Sequence, residues 1–170
     1  MKTRLIPTLL AGVALTAGFA STALAAAKNP DNVTVTFQDP DSFTDVRENH
    51  STTNSKYYLD TLHDYLQQTA SPLLAPGQKL VITVTNIDLA GENMFNQPDM
   101  IRVMKDIYSP KMNLKFQLLG ADGKVVKEGE RKLIDLDYQM QAGRVGSDEP
   151  LYYDKQMIKK WVESEFRTKS

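Results

Sequence analysis

Residues 111–134, KMNLKFQLLGADGKVVKEGERKLI, contain the pattern that decides the fold. Apolar and polar side chains alternate from Met112 to Leu118, which is typical of a strand with one buried face. Gly120-Ala-Asp-Gly123 follows as a turn, with glycine where a positive φ angle is favourable. Residues 124–134 return as the antiparallel partner, and a shift in their alternation at Gly129 predicts a bulge. The stretch therefore predicts a β-hairpin.

The segments on either side of this hairpin predict a sheet with two helices. Alternating residues indicate strands at Val33–Phe37, at 100–108 and at Lys79–Leu89; the last has apolar residues on both sides and is expected to be covered on more than one face. Apolar stripes of period 3.6 indicate helices over Lys56–Ser71, with the preceding serine as N-cap, and from Pro150 to Arg167. The predicted fold class is α+β. It is a single-layer, mostly antiparallel sheet of about five strands with two helices packed on one face, in the order β-α-β-β-β-β-α. The first strand is expected to run parallel to the one after the first helix, either beside it or around an intervening strand.

The N-terminal residues have the three-part layout of a secretory signal peptide. A cationic head, Met1-Lys2-Thr3-Arg4, precedes a mostly apolar run and the small-residue sequence Ala23-Leu24-Ala25. We expect residues 1–25 to be a signal peptide cleaved after Ala25, residues 26–32 a short polar leader, and residues 33–167 a single α+β domain. No later segment has the length of a membrane span, so no stable membrane insertion is expected after cleavage.

Charge and cysteine usage narrow the possible functions. Without Lys2 and Arg4 the chain has 18 basic and 21 acidic residues, a net charge of −3. Nucleic-acid binding needs a basic surface and is not expected. The chain has no cysteine, which excludes disulfides, a thiol nucleophile and the lipid attachment of a bacterial lipoprotein.

Three aspartates close to one another, Asp39, Asp41 and Asp45, are weak candidates for a metal site. Clustered carboxylates suit Ca²⁺, but the turn glycine and the closing glutamate of an EF-hand loop are missing. The alternative is an aspartate-rich turn whose side chains bond nearby backbone N–H groups.

Catalytic arrangements are weakly supported. The two histidines, His50 and His63, lack the further ligands of a zinc site, and His63 is expected to bond locally at the edge of a helix. No G-x-S-x-G sequence is present, and the acidic pairs Asp135/Asp137 and Glu128/Glu130 are typical of solvated strand faces. The sequence predicts no catalytic residue and no cofactor.

A set of charged residues has two interpretations. Asp88, Arg102, Asp106 and Arg131, here called the ionic set, lie on strands or strand ends that can be neighbours. They form either a partly buried ionic network that fixes the register of the fold or a polar patch that recognises a ligand. Tyrosine doublets at 57–58 and 152–153 stand at the two helix starts, where one ring of each pair can be buried while the other faces outward. Exposed tyrosines suit contact surfaces, but packing in the core is the default expectation.

Several short motifs occur together along the chain. They are Phe37-Gln-Asp-Pro-Asp-Ser-Phe-Thr-Asp45, Asp88-Leu-Ala-Gly91, Arg102-Val-Met-Lys-Asp-Ile-Tyr-Ser-Pro110, Gly129-Glu-Arg-Lys-Leu133 and Trp161-Val-Glu-Ser-Glu-Phe166. The set resembles a bacterial exported family known as domain of unknown function 3016. The resemblance implies a periplasmic location. It does not indicate any activity, so no catalytic or binding residues follow from it. The leading hypothesis is a non-enzymatic interaction or accessory module of the cell envelope whose partner is another envelope protein. The alternatives are a protein that binds a small ligand or metal at the aspartate turn or the ionic set, and, third, a hydrolase.

Overall fold

The computed structural model describes residues 30–48, 51, 53–93, 102–140 and 149–167. Its main sheet has four strands in the spatial order β1 (Val33–Phe37), β2 (Lys79–Asp88), β5 (Lys111–Leu119) and β6 (Val125–Ile134). The first pair is parallel and the other two pairs are antiparallel. A small hairpin of β3 (Glu92–Asn93) and β4 (Arg102–Val103) lies apart from it. The predicted α+β class and element order are confirmed. The main sheet has four strands instead of about five, because the strand predicted over 100–108 belongs to the small hairpin as β4.

The two helices cover one face of this sheet. Helix α1 (Lys56–Ala70) connects the parallel strands β1 and β2, which are direct neighbours, and α2 (Tyr152–Phe166) ends the fold. The N-cap of α1 is Ser55, whose Oγ accepts a hydrogen bond from the Tyr58 N–H at 3.1 Å, as predicted. The core joins the inner faces of the strands to both helices; its members include Leu62, Leu66, Leu80, Ile82, Val84, Leu114, Phe116, Ile158, Trp161 and Val162.

The second face of β2 differs from the prediction. Val81, Thr83 and Thr85 point away from the helices and are half-buried. An open groove at Val81 and Thr83 continues onto Lys115 and Glu130 of the neighbouring strands. Among the described residues, β2 is thus fully covered on one face only. Threonine explains the difference. Its methyl group is compatible with a buried strand face, which the sequence pattern suggested, but its hydroxyl group can equally face water.

Two further predictions of local structure are wrong. The strand expected over 100–108 is limited to Arg102–Val103 among the described residues, since 104–108 form a turn in which the Tyr108 N–H bonds to the Lys105 carbonyl at 2.8 Å. The alternation there was misleading because Ile107 is exposed instead of buried. Gly129 pairs regularly with Phe116, and the irregularity falls between Leu118 and Leu119. Gly129 instead leaves room for the Arg131 side chain, whose Nη1 is 2.7 Å from where a Cβ would stand.

The predicted signal peptide, residues 1–25, and the predicted leader up to residue 29 lie outside the described residues. None of the helices that the structure describes is long and apolar enough to cross a bilayer.

Candidate functional site

Arg102 holds three separate segments of the chain together. Its Nη1 donates to the carbonyls of Ala90 at 3.2 Å and Gly91 at 2.9 Å, and its Nη2 donates to Asp45 Oδ2 at 2.7 Å and to the Arg47 carbonyl at 2.9 Å. Both side chains of the Arg102–Asp45 pair are nearly buried. Because a guanidinium presents its donors in a rigid fork, four bonds to two other segments, residues 45–47 and 90–91, fix the positions of both relative to β4. Arg102 therefore supports the interpretation of a structural lock.

The structure does not bring the other members of the ionic set to Arg102. Asp88 pairs with Lys111 at 2.8 Å, and Asp106 is exposed in the turn after β4. Arg131 forms a two-pronged pair with Glu165, at 2.8 Å from Nε and 2.9 Å from Nη2. The four residues thus lie at four different places in the fold.

Glu165 ties the end of α2 to β6. Burial alone would raise the pKa of this carboxyl, but the hydrogen bonds from Arg131 and Lys127 outweigh it and lower the pKa. The Lys127 Nζ lies 2.7 Å from the carboxylate. Five residues earlier on the same helix, Lys160 reaches the buried Asp135 at 2.8 Å. In these ion pairs the charged groups hold α2 against the sheet.

The three aspartates of the candidate metal turn have different surroundings. Asp39 and Asp41 are exposed around the 3₁₀ turn Pro40–Ser42, and the Asp39 carbonyl accepts from the Ser42 N–H at 3.0 Å and its Oγ at 2.8 Å. The carboxylate of Asp45 is buried against Arg102. In the part of the chain that the structure describes, no group of three or more histidine, aspartate or glutamate side chains could hold a metal ion.

The remaining candidates engage in local contacts. His63 Nδ1 lies 3.1 Å from Asp64 Oδ1 at the helix surface, which confirms the expected local bond, and His50 lies outside the described residues. Glu130 pairs with Lys115 at 3.0 Å. Glu128 accepts from Gln117 Nε2 at 3.0 Å, and Asp137 is exposed.

Sequence reasoning missed a cavity of about 260 Å³ at the start of α2. Four elements meet there, namely α1, the end of β2, β4 with the following turn, and the first turn of α2. The lining residues are Tyr58, Ala90, Arg102, Met104, Glu149, Pro150, Leu151, Tyr152, Tyr153 and Asp154.

The carboxyl of Asp154 is the unusual group in this cavity. Only 3% of the residue is exposed, and Oδ1 accepts from the Ala90 N–H at 3.2 Å. Burial raises its pKa to about 7, against the opposing effects of hydrogen bonds from the Ala90 amide and its own amide and of the Arg102 charge. Asp154 therefore titrates near neutral pH. No local pattern in the sequence predicts this, since an aspartate in the first turn of a helix usually faces water and stabilises the helix dipole.

The residue before α2 is strained. Leu151 has φ 59° and ψ 30°, in the left-handed region, and offers no side-chain cap to the helix. A residue other than glycine in this region costs roughly 1–2 kcal/mol. Such strain is concentrated at functional sites, and here it borders the cavity that contains Asp154.

A second candidate surface consists of exposed apolar side chains on two neighbouring loops. Ile107, Leu136 and Met140 are 74%, 65% and 80% exposed, and Met104 is also exposed. The two loops are joined at Lys105, whose carbonyl accepts both the Tyr108 N–H and the Tyr138 Oη–H at 2.8 Å. We call Met104, Ile107, Leu136 and Met140 the loop patch.

The comparisons with known proteins give one match. The family model described as "Protein of unknown function (DUF3016)" matches residues 31–164. No curated protein and no solved structure matches the chain. Since the match spans most of the chain, the chain belongs to this family.

Proposed function

We propose that this DUF3016 protein is exported to the periplasm and acts there as a non-enzymatic interaction module, with another protein of the cell envelope as its partner. The N-terminal sequence with the layout of a signal peptide supports the location. The loop patch carries the proposal of an interaction.

The loop patch differs from single exposed apolar residues because its members come from two loops that meet at Lys105. Single exposed hydrophobic residues need no explanation, whereas groups of them mark contact sites. Here several large side chains come from two loops that are hydrogen-bonded to one carbonyl, that of Lys105. Methionine and aliphatic side chains adapt to a partner surface and gain free energy when they are removed from water.

The use of the charged groups also favours contact over bond-making. Arg102, Glu165 and Asp135 are engaged in intramolecular pairs that hold segments in place. A catalytic site needs a base or nucleophile within reach of a group that orients it. Of the residues singled out from the sequence, Arg102, Arg131 and Asp135 are held in such pairs.

Site-specific photo-crosslinking in the periplasm tests the proposed surface. A photoreactive phenylalanine analogue at Ile107 or Leu136 is expected to give one protein adduct of defined mass. The same analogue at Val126 is the matched control, since Val126 is apolar and 57% exposed. It lies eight residues before the end of β6 at Ile134, roughly 26 Å away at about 3.3 Å per residue. Equal adducts at all three positions, or none at the loops, would contradict the proposal.

The location has its own test. Cell fractionation followed by mass determination of the intact chain is expected to find a periplasmic protein that begins at Ala26. A chain that retains Met1 and stays in the cytoplasm would refute export.

A further inference from the structure

The walls of the cavity at the start of α2 are rich in aromatic rings. Tyr58 of α1 and both Tyr152 and Tyr153 of α2 line it. The Tyr152 and Tyr153 rings pack edge to face with centroids 5.3 Å apart, and Tyr153 also packs against Tyr138 at 4.8 Å. Burial raises the pKa of the Tyr58 phenol, so this ring stays neutral at physiological pH. Tyrosine faces attract cations through the ring quadrupole.

The charges around the cavity leave one buried carboxyl without an ion pair. Arg102 is matched by Asp45 at 2.7 Å, and Lys155, from the same turn as Asp154, is matched by Glu149 at 2.7 Å. Glu48 is an exposed residue whose charge contributes to the raised pKa of Tyr58. Its carboxylate accepts a hydrogen bond from Ser55 Oγ. Among the described residues, Asp154 forms no salt bridge, although it is the most deeply buried of these acids.

A buried carboxylate is normally paired with a cation or neutralised by a proton. At this position the fold needs an acceptor for the Ala90 N–H and for the residue's own amide. An asparagine would supply that oxygen without any ionisation. The ionised carboxylate of Asp154 therefore destabilises the folded chain when no ligand is bound. A cation in the cavity would offset this cost by pairing with it.

We propose that this cavity binds a small organic ammonium ligand, with the Asp154 carboxylate as its counter-ion and the rings of Tyr58, Tyr152 and Tyr153 around its alkyl groups. The volume of about 260 Å³ is just below the range of roughly 300–1,000 Å³ that holds drug-sized ligands, so the ligand is small. Carboxylates exceed cations around the cavity, which disfavours an anion. A metal ion would need more oxygen or nitrogen ligands than Asp154 offers.

The cavity shares only Met104 with the loop patch, so the two sites can be tested separately. Met104 and Tyr153 form part of the cavity wall, but the loop residue Leu136 does not line it. A Leu136→Ser variant is therefore expected to bind the ammonium ligand as the wild type does, even where a partner contact is lost. Failure of one proposal can thus be distinguished from failure of the other.

NMR titration of the folded protein with butylammonium and tetramethylammonium chloride tests the site. Saturable shifts are expected at Asp154, Tyr58 and Tyr152, with a dissociation constant of about 1 mM or lower for the better probe, equivalent to about 4 kcal/mol. Asp154→Asn is expected to weaken binding at least tenfold. Asp60→Asn, which removes an exposed carboxylate on α1, is the matched control and should bind as the wild type does. Sodium acetate is expected to give no saturable shifts.

The pH dependence of binding to the wild type gives a second readout that needs no variant. Affinity is expected to fall about tenfold per pH unit below the Asp154 pKa and to level off above it. Absence of saturable shifts at about 100 mM probe, two orders of magnitude above a 1 mM constant, would overturn the proposal. Unchanged affinity in Asp154→Asn would also overturn it. If that variant fails to fold, a pH-independent affinity in the wild type has the same force.

Discussion

Replacement of Asp154 by asparagine should make the protein more stable at alkaline pH. The carboxyl has a pKa of about 7 in the folded chain and an ordinary value of 3.8. The folded state therefore holds this proton more tightly than the unfolded state does. Between pH 3.8 and about 7 the carboxyl is ionised in the unfolded chain but still protonated in the folded chain. The free energy of unfolding therefore falls as the pH rises through this range. A difference of about three pKa units corresponds to about 4 kcal/mol.

Asparagine keeps an oxygen that can accept the hydrogen bond from the Ala90 N–H, and it does not ionise. The variant should therefore exceed the wild type by about 2 kcal/mol at pH 5 and by about 4 kcal/mol at pH 8, where the wild-type carboxyl is charged. Trp161, the single tryptophan and a buried residue, reports urea unfolding through its fluorescence at each pH.

The control is Asp60→Asn, whose carboxylate pairs with Lys56 on the exposed surface of α1. It should show no gain that grows with pH. An Asp154→Asn variant that is less stable than the wild type at pH 8, or whose advantage is the same at both pH values, would refute the assignment of a buried carboxyl with a raised pKa.

Three further substitutions test the structural contacts. Arg102→Met leaves the buried carboxylate of Asp45 without its cation and should lower the free energy of unfolding by about 3–5 kcal/mol in urea titration; no change would argue against the lock. Gly91→Ala should lower the melting temperature more than Gly123→Ala does. Both glycines have positive φ, but a Cβ at Gly91 would stand 3.0 Å or less from three neighbouring atoms, whereas a Cβ at Gly123 meets none within 4 Å. Glu165→Gln should remove part of the acid destabilisation. The lowered pKa of Glu165 gives stability above its ordinary value of 4.5 that is lost as the pH falls through the folded value, so thermal melts at pH 3 and pH 7 should differ less in the variant.

The elements of this fold that could be predicted are those with a strict local period. The alternation from Met112 to Leu118 and the apolar stripe from Met157 to Phe166 depend on a single buried face, and both are confirmed. The segment 104–108 could not be placed in this way. Ile107 continues an apparent alternation, but a turn closed at Lys105 turns it to the solvent.

The candidate site was harder to predict because its contacts join distant parts of the chain. The sequence singled out Arg102, yet its partner is Asp45, 57 residues away, and not the acids nearer in sequence. Asp154 has the pattern of an exposed acid at a helix start. Its burial arises only when the end of β2 is packed over it, so neither the cavity nor the raised pKa has a local signal.

The central claim, that the loop patch contacts another envelope protein, is tested most directly by a change of the patch itself. With the photoreactive residue placed at Met140, the adduct yield is measured in the double variant Ile107→Ser, Leu136→Ser and in the control Val125→Ser, Val126→Ser. All four changed side chains are exposed, so both variants should fold. We expect the yield to fall about tenfold or more in the loop variant, equivalent to about 1.4 kcal/mol of lost contact, and to stay unchanged in the control. An adduct that forms equally in both variants would contradict the account.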